Sequence, residues 1–304
     1  MGVGSILRAI GAVFLLLFIA VGAMAVMPPA WIADPPSEEP RSMMGSGFVN
    51  DHADVAPWTW WWSDRIELRV DHPAETNIVI WNHHTEAMEG SPSCLGSLYF
   101  PPPAIARLER IGRTRVYYLC TKSSQAPGQP HFARQRRDEI LALVARFRAL
   151  GVPAGRIFLS GQSGGSCSSL MALGAAPDEM NAGILFAPAC FGTGEGDKRA
   201  RGDNNPERVG LIDEMTSAER ITALLVGFGR DRWNKPQHLG FLAERYPETV
   251  EIFTPGCGAD HSGAFHGCGV EAVAAATERY FRARLEAAGF ALPAPAPSPT
   301  EPDE

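Results

Sequence analysis

Residues 156–165, RIFLSGQSGG, decide the fold of this chain. An apolar run from Ile157 to Leu159 leads directly into the pattern Gly-x-Ser-x-Gly, which has Ser163 at its centre. Small residues follow from Ser166 to Ala176. This order predicts a buried strand, a sharp turn at Ser163 and then a helix, because glycines leave the space that neighbouring backbone needs beside such a turn.

A serine on a strand-to-helix turn presents its hydroxyl at the end of the strand, so Ser163 is a candidate nucleophile. The backbone N–H of Gly164 would lie at the start of the helix, where developing negative charge is stabilised. Gly164 is therefore the first candidate donor of an oxyanion hole. Because the motif is short, its interpretation depends on the rest of the chain.

Predicted strands and helices alternate on both sides of this motif. The strands are predicted at 66–70, 77–81, 116–119, 183–187, 223–228 and 250–253, and the helices at 104–111, 132–150, 236–246 and 270–287. In the helix 132–150 the apolar positions predict a buried face opposite Arg136, Arg137 and Arg146. Such alternation is typical of an α/β fold with a mostly parallel central sheet and helices on both faces.

The ends of the chain differ in composition from its middle. Residues 1–33 contain an apolar run from Ala9 to Met27 that is long enough to cross a bilayer. Ala23-Met24-Ala25 is also a small-x-small cleavage site, so the segment is either a secretory signal peptide or an N-terminal membrane anchor. We predict a linker at 34–56, a globular domain at 57–290 and a disordered Pro/Ala-rich tail at 291–304.

From about residue 66 to residue 287 the chain resembles the α/β-hydrolase superfamily, in particular serine esterases similar to dienelactone hydrolase. In that family the catalytic acid follows the next-to-last strand, and the histidine follows the last strand. The resemblance implies that Asp231, after strand 223–228, orients His261, after strand 250–253, and that His261 activates Ser163. The alternatives are His266 as the base and, as the acid, Asp203 or Asp213; Asp260 is interpreted as a turn residue.

The family's second oxyanion donor is a backbone N–H just after the strand that corresponds to 77–81. Asn82-His83-His84-Thr85 resembles the Asn-His-Gly-x form of this segment, with His84 in place of the glycine. The sequence leaves open whether His84 or Thr85 supplies the N–H.

Other classes of function are disfavoured by the sequence. The net charge of −7 gives no reason to expect nucleic acid as a partner. A metal site formed by His83, His84 and Glu86 is disfavoured, because adjacent histidines in an extended segment point in opposite directions. Since the sequence also lacks a metal-binding motif, a phosphate loop and a dinucleotide fingerprint, we expect neither a metal nor a cofactor.

Six cysteines form an even set in a chain that we expect to be exported. Six cysteines allow 15 pairings, and the resemblance favours the neighbouring pairs Cys94–Cys120, Cys167–Cys190 and Cys257–Cys268. For Cys167 a buried free thiol is the alternative. The pair Cys257–Cys268 would restrain the glycine-rich loop that carries His261.

These inferences predict an extracytoplasmic enzyme, periplasmic or secreted and anchored if the N-terminal segment stays uncleaved. It would cleave a small-molecule ester through an acyl-enzyme intermediate. A serine peptidase of the same fold is one alternative. A non-catalytic binding protein on the same scaffold is another, because a fold does not determine a function.

Overall fold

The protein is described by a computed structural model that covers residues 47–49, 70–84, 100–119, 132–191 and 206–292. Several predictions lie outside these residues: the N-terminal segment 1–33, the strand residues 66–69, and the tail beyond 292. The candidates Thr85, Glu86, Cys94, Cys120 and Asp203 also lie outside them. Within the described residues, no helix has the length and apolar character needed to cross a membrane.

A seven-stranded sheet forms the centre of the described structure. Its strands are β1 (Gly47–Val49), β2 (Asn77–Asn82), β3 (Thr114–Leu119), β4 (Ile157–Gln162), β5 (Ala182–Phe186), β6 (Ala223–Val226) and β7 (Val250–Phe253). They pair in the order β1-β3-β2-β4-β5-β6-β7, and every pair is parallel. The carboxyl ends of all strands therefore lie at one edge of the sheet, with β4 in the middle.

Helices cover both faces of this sheet. The described α-helices are α1 (Pro103–Ala106), α2 (Phe132–Ala149), α3 (Gly164–Ala175), α4 (Pro206–Ser217), α5 (Gly240–Arg245) and α6 (Val270–Ala287). Short 3-10 helices lie at Arg107–Arg110, Ala154–Arg156 and Pro236–Leu239. The predicted strands after residue 76 and the four predicted helices are thus confirmed, with ends that differ by a few residues. Helix α4 was not among the predicted helices.

Two apolar cores lie on opposite faces of the sheet, because successive strand residues point to opposite sides. In β2, Ile78 and Ile80 pack into the core that contains α2, α3 and α5. Their neighbours Val79 and Trp81 pack into the core that contains α1 and α6. All six residues of β2 are buried, as expected for a strand covered by helices on both faces.

The structure differs from the sequence-based predictions at the edges of the domain. Gly47–Val49, inside the predicted linker, pairs in parallel with β3 as an edge strand. Val70, the last residue of the strand predicted at 66–70, belongs to no strand. Leu292, inside the predicted tail, packs against the core around α6. These segments are too short to show a periodic pattern, so pairing and packing decided them.

One prediction about helix α2 is wrong. The sequence predicts that Arg136 lies opposite the apolar face of the helix, but Arg136 is fully buried. Arg136 precedes Ile140 by four residues, so the two side chains lie on the same face of the helix. Its side chain reaches the segment that follows β2.

Candidate active site

Ser163 lies on a sharp turn between β4, which ends at Gln162, and α3, which begins at Gly164. Its backbone φ is +56°, a left-handed conformation that residues other than glycine rarely adopt. The Ser163 N–H donates to the Phe186 carbonyl at 3.0 Å, which ties the turn to the end of β5. The serine is half-buried, at the carboxyl edge of the sheet.

The two glycines of the motif are required by close backbone contacts. A Cβ on Gly161 would lie 2.7 Å from the carbonyl carbon of Gly165. A Cβ on Gly165 would lie 2.8 Å from the carbonyl carbon of Asn82 and would overlap the carbonyl oxygens of Asn82 and His83. The turn therefore packs directly against the end of β2, with no space for side chains between them.

Asp231 lies in the loop that follows β6, and its side chain is fully buried. One carboxylate oxygen, Oδ1, accepts the backbone N–H groups of Trp233 at 2.8 Å and Asn234 at 3.2 Å. The other oxygen, Oδ2, lies 2.8 Å from Nδ1 of His261. The carboxylate is thus held by backbone donors on one side and directed at the histidine ring on the other.

His261 lies in the loop between β7 and α6, and 22% of its side chain is exposed. Because a carboxylate accepts hydrogen bonds, the contact with Asp231 places a proton on Nδ1 and leaves Nε2 as the basic nitrogen of the neutral ring. Gln162 Nε2 donates to the His261 carbonyl at 3.0 Å, so the residue before Ser163 holds the histidine loop. The Trp233 ring packs beside the imidazole at a centroid distance of 6.3 Å.

The described alternatives to Asp231 and His261 occupy different environments. Asp213 is exposed on α4, and His266 is exposed in the loop. Asp260 is also exposed and accepts bonds from the Ser262 hydroxyl at 2.7 Å and its N–H at 3.0 Å, which lower the pKa of the Asp260 carboxyl. Only the pair Asp231–His261 combines a buried carboxylate with a histidine contact among these candidates.

The segment after β2 lies next to the serine turn, as the oxyanion prediction requires. His83 is buried and His84 is half-buried. His83 Nδ1 lies 2.7 Å from the His84 carbonyl. Burial, with the nearby Arg136 cation as a second cause, holds the pKa of His83 well below its ordinary value of 6.5. The structure describes no group of three potential metal ligands in the residues that it covers.

Sequence reasoning missed three side chains around the site: Gln162, Trp233 and Arg136. The first two are neighbours of predicted site residues, and their roles depend on contacts between distant loops. Arg136 carried a usable signal, because its four-residue spacing from Ile140 matches the buried face of α2.

Two disulfides flank the site. Cys167, one turn into α3, is joined to Cys190 with a Cα–Cα distance of 5.9 Å. The alternative of a free Cys167 thiol is therefore wrong. Cys257 is joined to Cys268 with a Cα–Cα distance of 6.1 Å, across the loop that carries His261. Both pairs are among the neighbouring pairs expected from the sequence.

No protein-family model matches the sequence, and no curated protein matches it either. Solved structures do match. Esterase 2 from Thermogutta terrifontis, phosphonylated by cyclosarin, is 17% identical with a TM-score of 0.50; the match covers 74% of this chain and 87% of the esterase. Est1E from Butyrivibrio proteoclasticus, with ferulic acid bound, is 18% identical with a TM-score of 0.51, over 71% and 92% of the two chains.

A peptidase structure matches at the same level. Dipeptidyl peptidase 4 from Porphyromonas gingivalis is 14% identical with a TM-score of 0.51; the match covers 70% of this chain and 32% of the peptidase. At such low identity these likenesses show the fold alone. The chain has the α/β-hydrolase fold, with an all-parallel sheet in the described residues and esterase-like structural neighbours.

Proposed function

We propose that this protein is a serine hydrolase that cleaves an ester through an acyl-enzyme intermediate, with Ser163, His261 and Asp231 as its triad. The observation that carries the proposal is the 2.8 Å contact between His261 Nδ1 and the fully buried Asp231 carboxylate. His261 lies on a loop, and Gln162, the residue before Ser163, donates a hydrogen bond to the His261 carbonyl. Nucleophile, base and orienting acid thus come from the ends of β4, β7 and β6.

In the acylation step Ser163 Oγ attacks the carbonyl carbon of the ester while His261 Nε2 takes the hydroxyl proton. The carbonyl electrons move to the oxygen, whose negative charge the Gly164 N–H and a second N–H from His84 or Thr85 stabilise. When the tetrahedral intermediate collapses, the bond to the alcohol oxygen breaks and His261 returns the proton to that oxygen. The alcohol leaves and the acyl group remains on Ser163.

In the deacylation step a water molecule takes the place of the alcohol. His261 Nε2 removes one water proton while the water oxygen attacks the acyl carbon. Collapse of the second tetrahedral intermediate breaks the bond to Ser163 Oγ, which regains its proton from His261. The carboxylic acid is released, and Asp231 stabilises the imidazolium in both steps.

An ester substrate is our choice over a peptide because two of the three neighbours compared above are esterases. Est1E was solved with ferulic acid, a small carboxylic acid, bound. We therefore propose a small-molecule ester as the substrate.

The backbone at Ser163 favours catalysis over a purely binding role. A non-glycine residue held at a φ of +56° costs on the order of 1–3 kcal/mol and persists where the surrounding structure enforces it. The conformation presents the hydroxyl at the end of β4, beside the loop that carries His261. Strained residues of this kind cluster at functional sites, and here the residue is a serine beside a histidine loop.

A fluorophosphonate probe tests the proposal, because it reacts with an activated serine. We expect the wild-type protein to be labelled at Ser163 and to hydrolyse p-nitrophenyl esters, with a preference for one chain length in a series from acetate to octanoate. Ser163→Ala should lose labelling and about 10⁴-fold or more in kcat/KM while keeping its unfolding temperature. The matched control is Ser217→Ala, an exposed serine on α4.

Labelling at a different serine, or full esterase activity in Ser163→Ala, would contradict the assignment. Hydrolysis of the matched p-nitroanilides at rates near those of the esters would favour the peptidase alternative.

We also propose an extracytoplasmic location, periplasmic or secreted. Disulfides persist in oxidising compartments, and the described residues contain two. Non-reducing peptide mapping of the protein isolated from its own cells tests this location, because a cytoplasmic pool would carry both pairs as free thiols.

A further inference from the structure

Arg136 is a charged side chain with no exposure to solvent, and its guanidinium reaches the backbone after β2. Its Nη1 donates to the His83 carbonyl at 2.9 Å and lies 3.5 Å from the His84 carbonyl. A fully buried cation is costly unless its hydrogen bonds are well made. The helix α2 therefore holds the end of β2 through this guanidinium.

The His83 carbonyl is held from a second direction by the serine turn. Gly165 packs against it so closely that a Cβ there would overlap the carbonyl oxygen. A peptide unit is planar and trans, so its N–H points away from its carbonyl. Fixing the His83 carbonyl between Arg136 and Gly165 therefore fixes the direction of the His84 N–H.

The His83 ring holds the next peptide unit. A carbonyl only accepts hydrogen bonds, so His83 Nδ1 carries a proton and donates to the His84 carbonyl at 2.7 Å. The ring packs edge-on against Tyr118 at a centroid distance of 5.9 Å. Burial and the Arg136 charge lower the pKa of His83, which keeps the ring neutral and in this role. The His84 carbonyl is thus held as well.

We propose that Arg136 and His83 are positioning residues for the oxyanion segment after β2, whose backbone they hold at the His83 and His84 carbonyls. Arg136 acts on the His83 and His84 carbonyls, and His83 acts on the His84 carbonyl. The inference rests on the proposed function, because an oxyanion hole matters only if Ser163 attacks a carbonyl. It adds two residues that act through the backbone of this segment.

Arg136→Met and Arg136→Lys test the role of the guanidinium. Removing one oxyanion donor costs about 10²–10³-fold in kcat, so loss of its orientation should cost about 10–100-fold, with KM nearly unchanged. Arg136→Lys keeps one donor and should recover part of the loss. The control is Arg148→Met on the same helix, where Nη1 donates to the Val152 carbonyl at 2.8 Å away from the site.

A transition-state analogue separates positioning from a general structural effect. An alkyl trifluoromethyl ketone adds to Ser163 and forms an oxyanion, so its Ki should rise in proportion to the fall in kcat/KM. The product carboxylic acid forms no such adduct, and its Ki should stay within about twofold because it uses ground-state contacts alone. Wild-type kcat/KM in a folded Arg136→Met, or an unchanged Ki for the ketone despite lower activity, would overturn the proposal.

His83→Asn and His83→Leu provide a second test if Arg136→Met does not fold. Asparagine places an N–H donor close to the position of Nδ1, whereas leucine removes the donor. We expect His83→Asn to keep more kcat and tighter ketone binding than His83→Leu, and equal effects would overturn the role of His83. Failure of the proposed function would appear in the wild-type protein, as absent labelling and hydrolysis; failure of this inference would appear only in the variants.

Discussion

The serine turn and the histidine loop contribute to one candidate site, but they are held in different ways. The turn, residues 161–165, lies between a strand and a helix and is buried except for Ser163, with its backbone packed on the end of β2. The loop, residues 254–269, contains no helix or strand, and residues such as Gly258, Asp260 and Cys268 are exposed. Its residues Gly263 and Ala264 are buried, and further contacts hold it at separate points.

Three such points are the bond from His261 to Asp231, the bond from Gln162 to the His261 carbonyl and the disulfide Cys257–Cys268. The difference teaches that close backbone packing positions the candidate nucleophile, whereas individual bonds position the candidate base. The turn should therefore be sensitive to added volume, and the loop to the removal of single bonds.

Among changes to the contacts of the loop, removing the charge of Asp231 should cause the largest loss of activity. In Asp231→Asn the amide oxygen would keep the Trp233 and Asn234 N–H bonds, so the NH₂ group would face His261 Nδ1. Nδ1 would then have to accept, the proton would move to Nε2, and the base would be lost. We expect about a 10⁴-fold loss in kcat for ester hydrolysis.

Asp213→Asn is the matched control, because Asp213 is exposed on α4 and should tolerate the change with normal activity. A nearly wild-type Asp231→Asn together with an inactive Asp213→Asn would show that the acid is wrongly assigned.

A pair of glycine substitutions compares the two regions directly. Gly165→Ala adds a methyl group against the Asn82 and His83 carbonyls, so the backbone must shift. We expect a loss of about 1–3 kcal/mol or more in the free energy of unfolding, together with a large loss of activity. In the loop, a Cβ added at Gly256 would have no neighbouring atom within 4 Å. Gly256→Ala should therefore change the free energy of unfolding by less than about 0.5 kcal/mol.

Urea unfolding and ester hydrolysis measure both effects. If Gly165→Ala proved as mild as Gly256→Ala, the claim that backbone packing holds the turn would be wrong.

Removing a disulfide should have the smallest effect on activity of these changes. It also tests whether the loop depends on single bonds more than the turn does. Replacing Cys257 and Cys268 by serine removes a cross-link between residues 11 apart, worth about 2–3 kcal/mol of stability by loop entropy. Activity should fall several-fold well below the unfolding temperature, because the loop carrying His261 gains freedom. Replacing Cys167 and Cys190 by serine should reduce stability while leaving a larger fraction of the activity.

Measuring the activity and the thermal unfolding of each double variant checks which disulfide affects activity more. A larger loss of activity in the variant that lacks Cys167 and Cys190 would reverse the interpretation of the two regions.

The sequence by itself determined the parts of the molecule that have a local pattern. The strand-turn-helix around Ser163 followed from an apolar run and glycine spacing, and α6 was predicted at 270–287 with the bounds that the structure shows. An α/β fold with a mostly parallel sheet followed from the alternation of strands and helices, and the resemblance to α/β-hydrolases implied the particular fold. Asp231 and His261 were implied by the resemblance, because they follow the strands after which that family carries its acid and its histidine.

Only the tertiary structure decided the features that depend on contacts between distant segments. Gly47–Val49 is a strand because it pairs with β3. Three residues are too few to show a periodicity of their own. The sequence predicts that Arg136 lies opposite the buried face of its helix, yet Arg136 is buried, and its Nη1 donates to the His83 carbonyl after β2. A local pattern records which face of a helix is apolar; whether a polar group on that face can be buried depends on the hydrogen-bond acceptors that the fold places opposite it.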